Sequence, residues 1–95
     1  MAKAVVDGTV IAESDSTVVV EGNHYFPPDS IADWSLLTET DRTTVCPWKG
    51  TASYYSIAAP SGTLDNVAWT YHDPKDAASE IKDHVAFYPQ VTVEA

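Results

Sequence analysis

Six prolines and four glycines punctuate this chain of 95 residues. Between them lie short runs rich in Val, Ile, Thr and Tyr. β-branched and aromatic side chains pack well on a pleated surface, so these runs read as strands. Residues 4–7 and 9–13 flank Asp7-Gly8, whose residues accept the positive φ values of a tight hairpin turn. Residues 17–21 form the clearest strand, and Gly22-Asn23 is read as the next turn, leading into His24-Tyr25-Phe26. Pro27-Pro28 then ends any central strand. Parallel units need a crossover of about a dozen residues or more. Only residues 27–42 and 72–84 have room for one. The expected fold is therefore mainly β: a compact antiparallel sandwich or partly open barrel of seven or eight strands with one or two short helices.

Further strands are expected over residues 52–59, 67–71, 85–88 and 91–94. In the run 67–71, Val67, Trp69 and Tyr71 share a face, and Tyr54 and Tyr55 point to opposite sides of their strand. One of that tyrosine pair should enter the core and the other face solvent or a pocket. Asp29 or Ser30 is placed to cap a helical turn through Trp34, with Ile31, Trp34 and Leu36 or Leu37 on the buried face. Residues 38–44 are polar and are expected to cross the surface, with a strand beginning near Thr43. Asp73, Pro74 and Asp76 read as the start of a helix of two to three turns, with Ala77, Ile81 and either Ala78 or Val85 on its buried face.

Charge limits the partners. Fourteen acidic residues face five basic ones, for a formal charge of −9. Phosphate-backbone affinity needs clustered Lys and Arg, so nucleic acid and anionic membranes are not expected partners. There is no apolar stretch of 18 residues, and no signal peptide is read at the start of the chain. A lone cysteine forms no internal disulfide and no four-thiolate zinc site. It fits a reducing, cytoplasmic setting. No cofactor or metal is expected. His24, His72 and His84 lack a tight metal-binding spacing, although His24, His84 and an acid remain open as a site assembled in space. The length corresponds to one domain, residues 1–95, with about 5,400 Å² of folded surface.

Chemistry concentrates at Cys46-Pro47-Trp48-Lys49-Gly50. Cys46 is the only sulfur nucleophile, and Lys49 is three residues away. Lys49 and the Gly50 amide could face an anion, but no phosphate loop is present. Aromatic residues gather in the neighbouring strands, where large rings supply core area and can also line a pocket.

Several blocks carry a family resemblance. They include Gly22-Asn23-His24-Tyr25-Phe26-Pro27, Thr44-Val45-Cys46-Pro47-Trp48-Lys49-Gly50, Ala52-Ser53-Tyr54-Tyr55, Ala68-Trp69-Thr70-Tyr71 and Val85-Ala86-Phe87-Tyr88. Together they span nearly the whole chain and resemble the small bacterial family known as domain of unknown function 427. The resemblance implies a compact, mostly β domain similar to the β-tent architecture of methionine sulfoxide reductase B, yippee proteins and the thalidomide-binding domain of cereblon. Some of those carry a four-cysteine zinc site, which does not transfer to a chain with Cys46 alone. The family's nucleotidyltransferase-like label has little support here, since no acidic metal motif is joined to a phosphate-binding glycine loop. The resemblance makes His24, Cys46, Lys49, Tyr55, Trp69 and Tyr71 candidates for a shared ligand pocket, and it supplies no reaction. Three readings stay open. They are a module that binds or senses a small polar or anionic ligand, an interaction or structural module that could form a homo-oligomer, and a small enzyme using Cys46.

Overall fold

The computed structural model describes residues 1–95. Nine strands are present: β1 (Ala2–Val6), β2 (Thr9–Ser14), β3 (Val18–Val20), β4 (Asn23–Tyr25), β5 (Leu37–Cys46), β6 (Gly50–Ala59), β7 (Gly62–Thr70), β8 (Val85–Phe87) and β9 (Thr92–Glu94). All strand pairs are antiparallel, in the orders β2-β1-β9, β3-β4 and β5-β6-β7-β8. The sheets are open rather than closed. The expected mainly β, antiparallel fold is borne out. The accessible surface, 5090 Å², is close to that expected from the mass.

Local turn chemistry explains the hairpins. Asp7 and Gly8 both have positive φ, 50° and 75°, as a two-residue turn between β1 and β2 requires. The next hairpin differs from expectation by one residue. Val20 pairs with Asn23, so Glu21-Gly22 is the turn, with φ 53° and 79°, and Asn23 joins β4. Gly22 takes the second left-handed position easily. Glu21 takes the first against the steric cost of its Cβ, and its carboxylate is held from outside the hairpin.

Three other expectations are corrected. The polar stretch 38–44 lies within β5, which begins at Leu37 and irregularly shifts register between Glu39 and Thr43. Its threonines suit a strand, and as an edge strand it keeps polar side chains in water. Residues 28–36 form two separate 3-10 turns, Pro28–Ser30 and Trp34–Leu36. Asp33, not Asp29 or Ser30, accepts the capping bond from the Ser35 amide, and Trp34 is 40 % exposed while Ile31 and Leu37 are buried. The expected helix after Pro74 is a kinked 3-10 segment, Asp76–Ile81. Lys75 precedes it with no side-chain cap; Ala78 and Ile81 are buried as expected, and Ala77 is exposed.

The four-stranded sheet continues past β8 into the β4–β3 hairpin. Phe26 and Val85 exchange backbone hydrogen bonds of 2.8 and 2.9 Å. Each face of this extended sheet carries its own core. One holds Phe26, Tyr55, Ile57, Ala68 and Phe87 against Ala4 and Ile11 of the β1–β2 hairpin. The other holds Tyr25, Tyr54, Trp69, Tyr71, Ile81 and Ala86. Tyr54 and Tyr55 do point to opposite faces, but both are buried, at 4 % and 7 % exposure. Trp69 and Tyr71 share the second core, whereas Val67 packs in the first. Asn66, at φ 52°, interrupts the strand just before Val67.

Phe26 joins the two sheet systems, and its ring meets Phe87 edge-on at 5.6 Å. Phe26→Ala should cost about 3–5 kcal/mol, because the void cannot collapse without parting β4 from β8. Urea denaturation checks this, and a loss below about 1 kcal/mol would mean that the hairpin docks by other contacts.

Candidate functional site

The loop between β5 and β6 is short. Cys46 pairs with Gly50, leaving Pro47, Trp48 and Lys49 to turn the chain. Gly50 has φ 111°, and a Cβ there would stand 3.5 Å from the Asp73 carbonyl oxygen. The backbone of residues 73–75 thus lies directly against it. The Lys75 amide donates to the Lys49 carbonyl at 2.9 Å, and the Lys75 ammonium donates to the Pro47 carbonyl at 2.7 Å. This clamp turns the Lys49 side chain inward.

Lys49 is only 7 % exposed. Its ammonium lies 5.5 Å from the Trp48 ring centroid and 5.6 Å from that of Tyr71. It donates to Glu21 at the tip of the β3–β4 hairpin. Burial opposes the ammonium charge, but the Glu21 contact, with the phenols of Tyr25 and Tyr71 close by, outweighs it and holds Lys49 above the ordinary lysine range. The same hydrogen bond holds the Glu21 carboxyl below its usual range. Burial pushes the Tyr71 phenol upward. Cys46 is half-buried and packs against this aromatic core.

A cavity of about 370 Å³ opens beside this cluster. Gly22, Asn23 and His24 line it from the β3–β4 hairpin, Trp69 from β7, and Tyr88 and Pro89 from the turn after β8. His24 Nδ1 lies 3.0 Å from Thr17 Oγ1. The Trp69 indole N–H donates to Tyr25 Oη at 3.1 Å. Trp69 and Tyr88 ring centroids are 4.7 Å apart, and Tyr88 stacks on Tyr54 at 6.3 Å. Trp69 therefore forms a cavity wall on one side and touches the Lys49 surroundings, through Tyr25, on the other.

The six residues singled out from the sequence fall into three places. His24 and Trp69 line the cavity. Lys49 and Tyr71, with Cys46 at the same core, form the neighbouring buried cluster. Tyr55 lies on the opposite face of the sheet, edge-on to Trp34 at 5.7 Å. Burial, followed by Glu39 and Asp83, raises its phenol. Lys49 of the central turn lies over Tyr71, and the cavity opens elsewhere, between the β3–β4 hairpin and the turn after β8. Sequence reasoning missed Tyr88 and Pro89 as lining residues. Their signal was an aromatic residue followed by a strand-ending proline, which places a ring at an exposed turn.

A second polar cluster involves His72, between β7 and β8. Its Nδ1 lies 2.8 Å from Asp83 Oδ1, and its Nε2 lies 2.8 Å from Glu39 Oε1. The Asp83 hydrogen bond raises its pKa, burial opposes this, and the Glu39 hydrogen bond and the two charges add to the rise.

The family described as a domain of unknown function (DUF427) matches residues 1–95. This bears out the resemblance read from the sequence blocks. No curated protein matches the chain.

Two pH-dependent effects follow from opposite shifts. Glu21 has a depressed folded pKa, so its contribution is present above its ordinary value of 4.5 and is lost as pH falls through the folded value. Glu21→Gln should lower stability at about pH 7, with the deficit shrinking as pH falls below 4.5 in urea titrations. A deficit that stays constant down the acid range would deny the ion pair its role. His72 has a raised folded pKa. Its contribution is full below 6.5 and is lost as pH rises through the folded value. NMR should show its imidazole titrating above 6.5, and His72→Gln should destabilise the protein most on the acid side of that midpoint.

Proposed function

We propose, for a chain that belongs to the DUF427 family over residues 1–95, that these residues act as one unit that binds a small polar molecule in the cavity between the β3–β4 hairpin and the turn after β8. The observation that carries this reading is the cavity itself. Its volume of about 370 Å³ is in the range of small-molecule sites. Trp69 and Tyr88 offer ring faces to a flat apolar body, and His24 and Asn23 offer polar groups to orient it. The lining contains neither Lys nor Arg, and Lys49 is committed to Glu21. The part of the ligand that enters the cavity is therefore uncharged.

The buried cluster supports the cavity rather than joining it. Lys49 holds Glu21, the hairpin tip beside Gly22, while Tyr25 fixes the Trp69 indole. A site whose rings are locked by such contacts loses less side-chain freedom on binding. Tyr71 and Cys46 act in the same way, as packing behind the wall. No reaction is proposed for Cys46.

Benzamide is a suitable first probe, being flat, neutral and polar. It should bind with a Kd on the order of 1 mM. NMR titration should move the His24 and Tyr88 amides and the Trp69 indole N–H. Asn23→Trp, which fills the cavity mouth, should abolish these shifts with the fold intact. If a panel of small neutral ring compounds leaves those signals unmoved, the binding reading is wrong.

A further inference from the structure

Arg42 is the only arginine of the chain, and it follows Asp41 in β5. In a protein with fourteen acids it forms none of the ion pairs. Its guanidinium carbon instead lies 5.0 Å from the centroid of the Tyr54 ring. Beside that ring three hydroxyls converge. Thr44 Oγ1 is 2.9 Å from Tyr54 Oη, and Tyr54 Oη is 3.3 Å from Tyr88 Oη.

Three hydroxyls carry three O–H donors, and the two contacts among them use two, which leaves one O–H. A guanidinium adds a planar fork of N–H donors suited to the two oxygens of a carboxylate or phosphate. Arg42 thus supplies most of the cluster's donors and its one positive charge. Its outer members, Arg42 and Tyr88, are exposed to solvent. Tyr88 also connects it to the cavity, because its ring meets Trp69 in the cavity wall while its hydroxyl meets Tyr54.

We infer that Arg42, with the hydroxyls of Thr44, Tyr54 and Tyr88, forms an oxyanion subsite at the cavity's edge. The ligand class is then a flat ring carrying a carboxylate or phosphate group. This rests on the cavity reading: the ring lies against Trp69 and Tyr88, and its anionic end reaches past Tyr88 to Arg42. Burial alone would raise the Tyr54 phenol, but Thr44, Tyr88 and Arg42 outweigh it and lower it, as donors gathered around one oxygen should.

The test compares benzoate and phenyl phosphate with benzamide, and adds inorganic phosphate alone, on the wild type and on Arg42→Gln. NMR titration of Tyr88, Thr44 and the Trp69 indole is the readout. The ring anions should bind at least about tenfold more tightly than benzamide. The tighter of the two identifies the headgroup. Arg42→Gln should remove that gain and leave benzamide binding unchanged. Equal affinity for charged and neutral rings, or a gain that survives Arg42→Gln, overturns the subsite while leaving the cavity standing. If no ring compound binds, the cavity reading fails, and inorganic phosphate decides the subsite alone. Shifts at Thr44 and Tyr88 that vanish in Arg42→Gln support it, and their absence in the wild type overturns it.

Discussion

The ion pair between Lys49 and Glu21 is the contact on which the working end of this molecule depends. Withdrawing an ammonium from water costs several kcal/mol unless a partner is held in place. Here the partner sits on a different hairpin, 28 residues away in sequence. The Lys49 carbonyl in turn accepts from Lys75, so three segments that share no strand pairing converge on one residue. The pair also accounts for Glu21 at positive φ. A left-handed non-glycine residue persists where its surroundings over-determine it, and a buried ammonium aimed at its carboxylate does so. The β3–β4 hairpin is only three residues long on each side. Hydrogen bonds within it would hold it weakly.

That dependence passes to the cavity through aromatic contacts. Tyr25, on the hairpin, accepts from the Trp69 indole and meets its ring at 6.2 Å and near right angles. Trp69 then sets Tyr88, and Tyr88 stacks nearly parallel to Tyr54. Each ring is held by the one behind it. The chain of contacts runs from a buried cation near Tyr25 to an exposed one over Tyr54. The cavity lies along its middle, walled in part by Trp69 and Tyr88.

Much of the fold was legible because its signals are local. Asp7-Gly8 specified its turn by backbone preference, and β6 and β7 by β-branched and aromatic runs. What failed was what tertiary contacts decide. Gly22 was recognised as a turn residue, but whether it takes the first or second turn position depends on register, which Lys49 helps to fix from afar. The Thr-rich stretch of β5 looks like surface crossing because an edge strand needs few apolar residues. Asp73 and Pro74 carry helix-start chemistry, yet the clamp of Lys75 onto Lys49 and Pro47 takes that backbone elsewhere, and only a 3-10 segment follows. The candidate site was legible as a set of residue types and not as a place. Trp69 and Tyr71 alternate to one face, so the sequence grouped them well. Tyr55 was assigned with them, although the parity of β6 makes Tyr54 the neighbour of Trp69, as the Tyr54–Trp69 pairing shows.

An anionic ligand for so acidic a chain raises an electrostatic objection that distance answers. The summed field of −9 slows the approach of an anion. At physiological salt, however, exposed charges more than about 8 Å away are largely screened. Affinity is then set by the groups within contact. Near Tyr54 those are a guanidinium with no carboxylate partner and an unspent hydroxyl donor. Two lysines contrast with it: Lys3 meets Glu13 across β1 and β2, and Lys49 meets Glu21, whereas Lys75 and Lys82, like Arg42, form no ion pair. Arg42 sits at the irregularity of β5, where the strand shifts register, and the side chain so directed lies over a ring. A single exposed guanidinium holds a bare ion only weakly. An anion that carries a flat body gains a second contact, so selectivity comes from combining the ring with the charge.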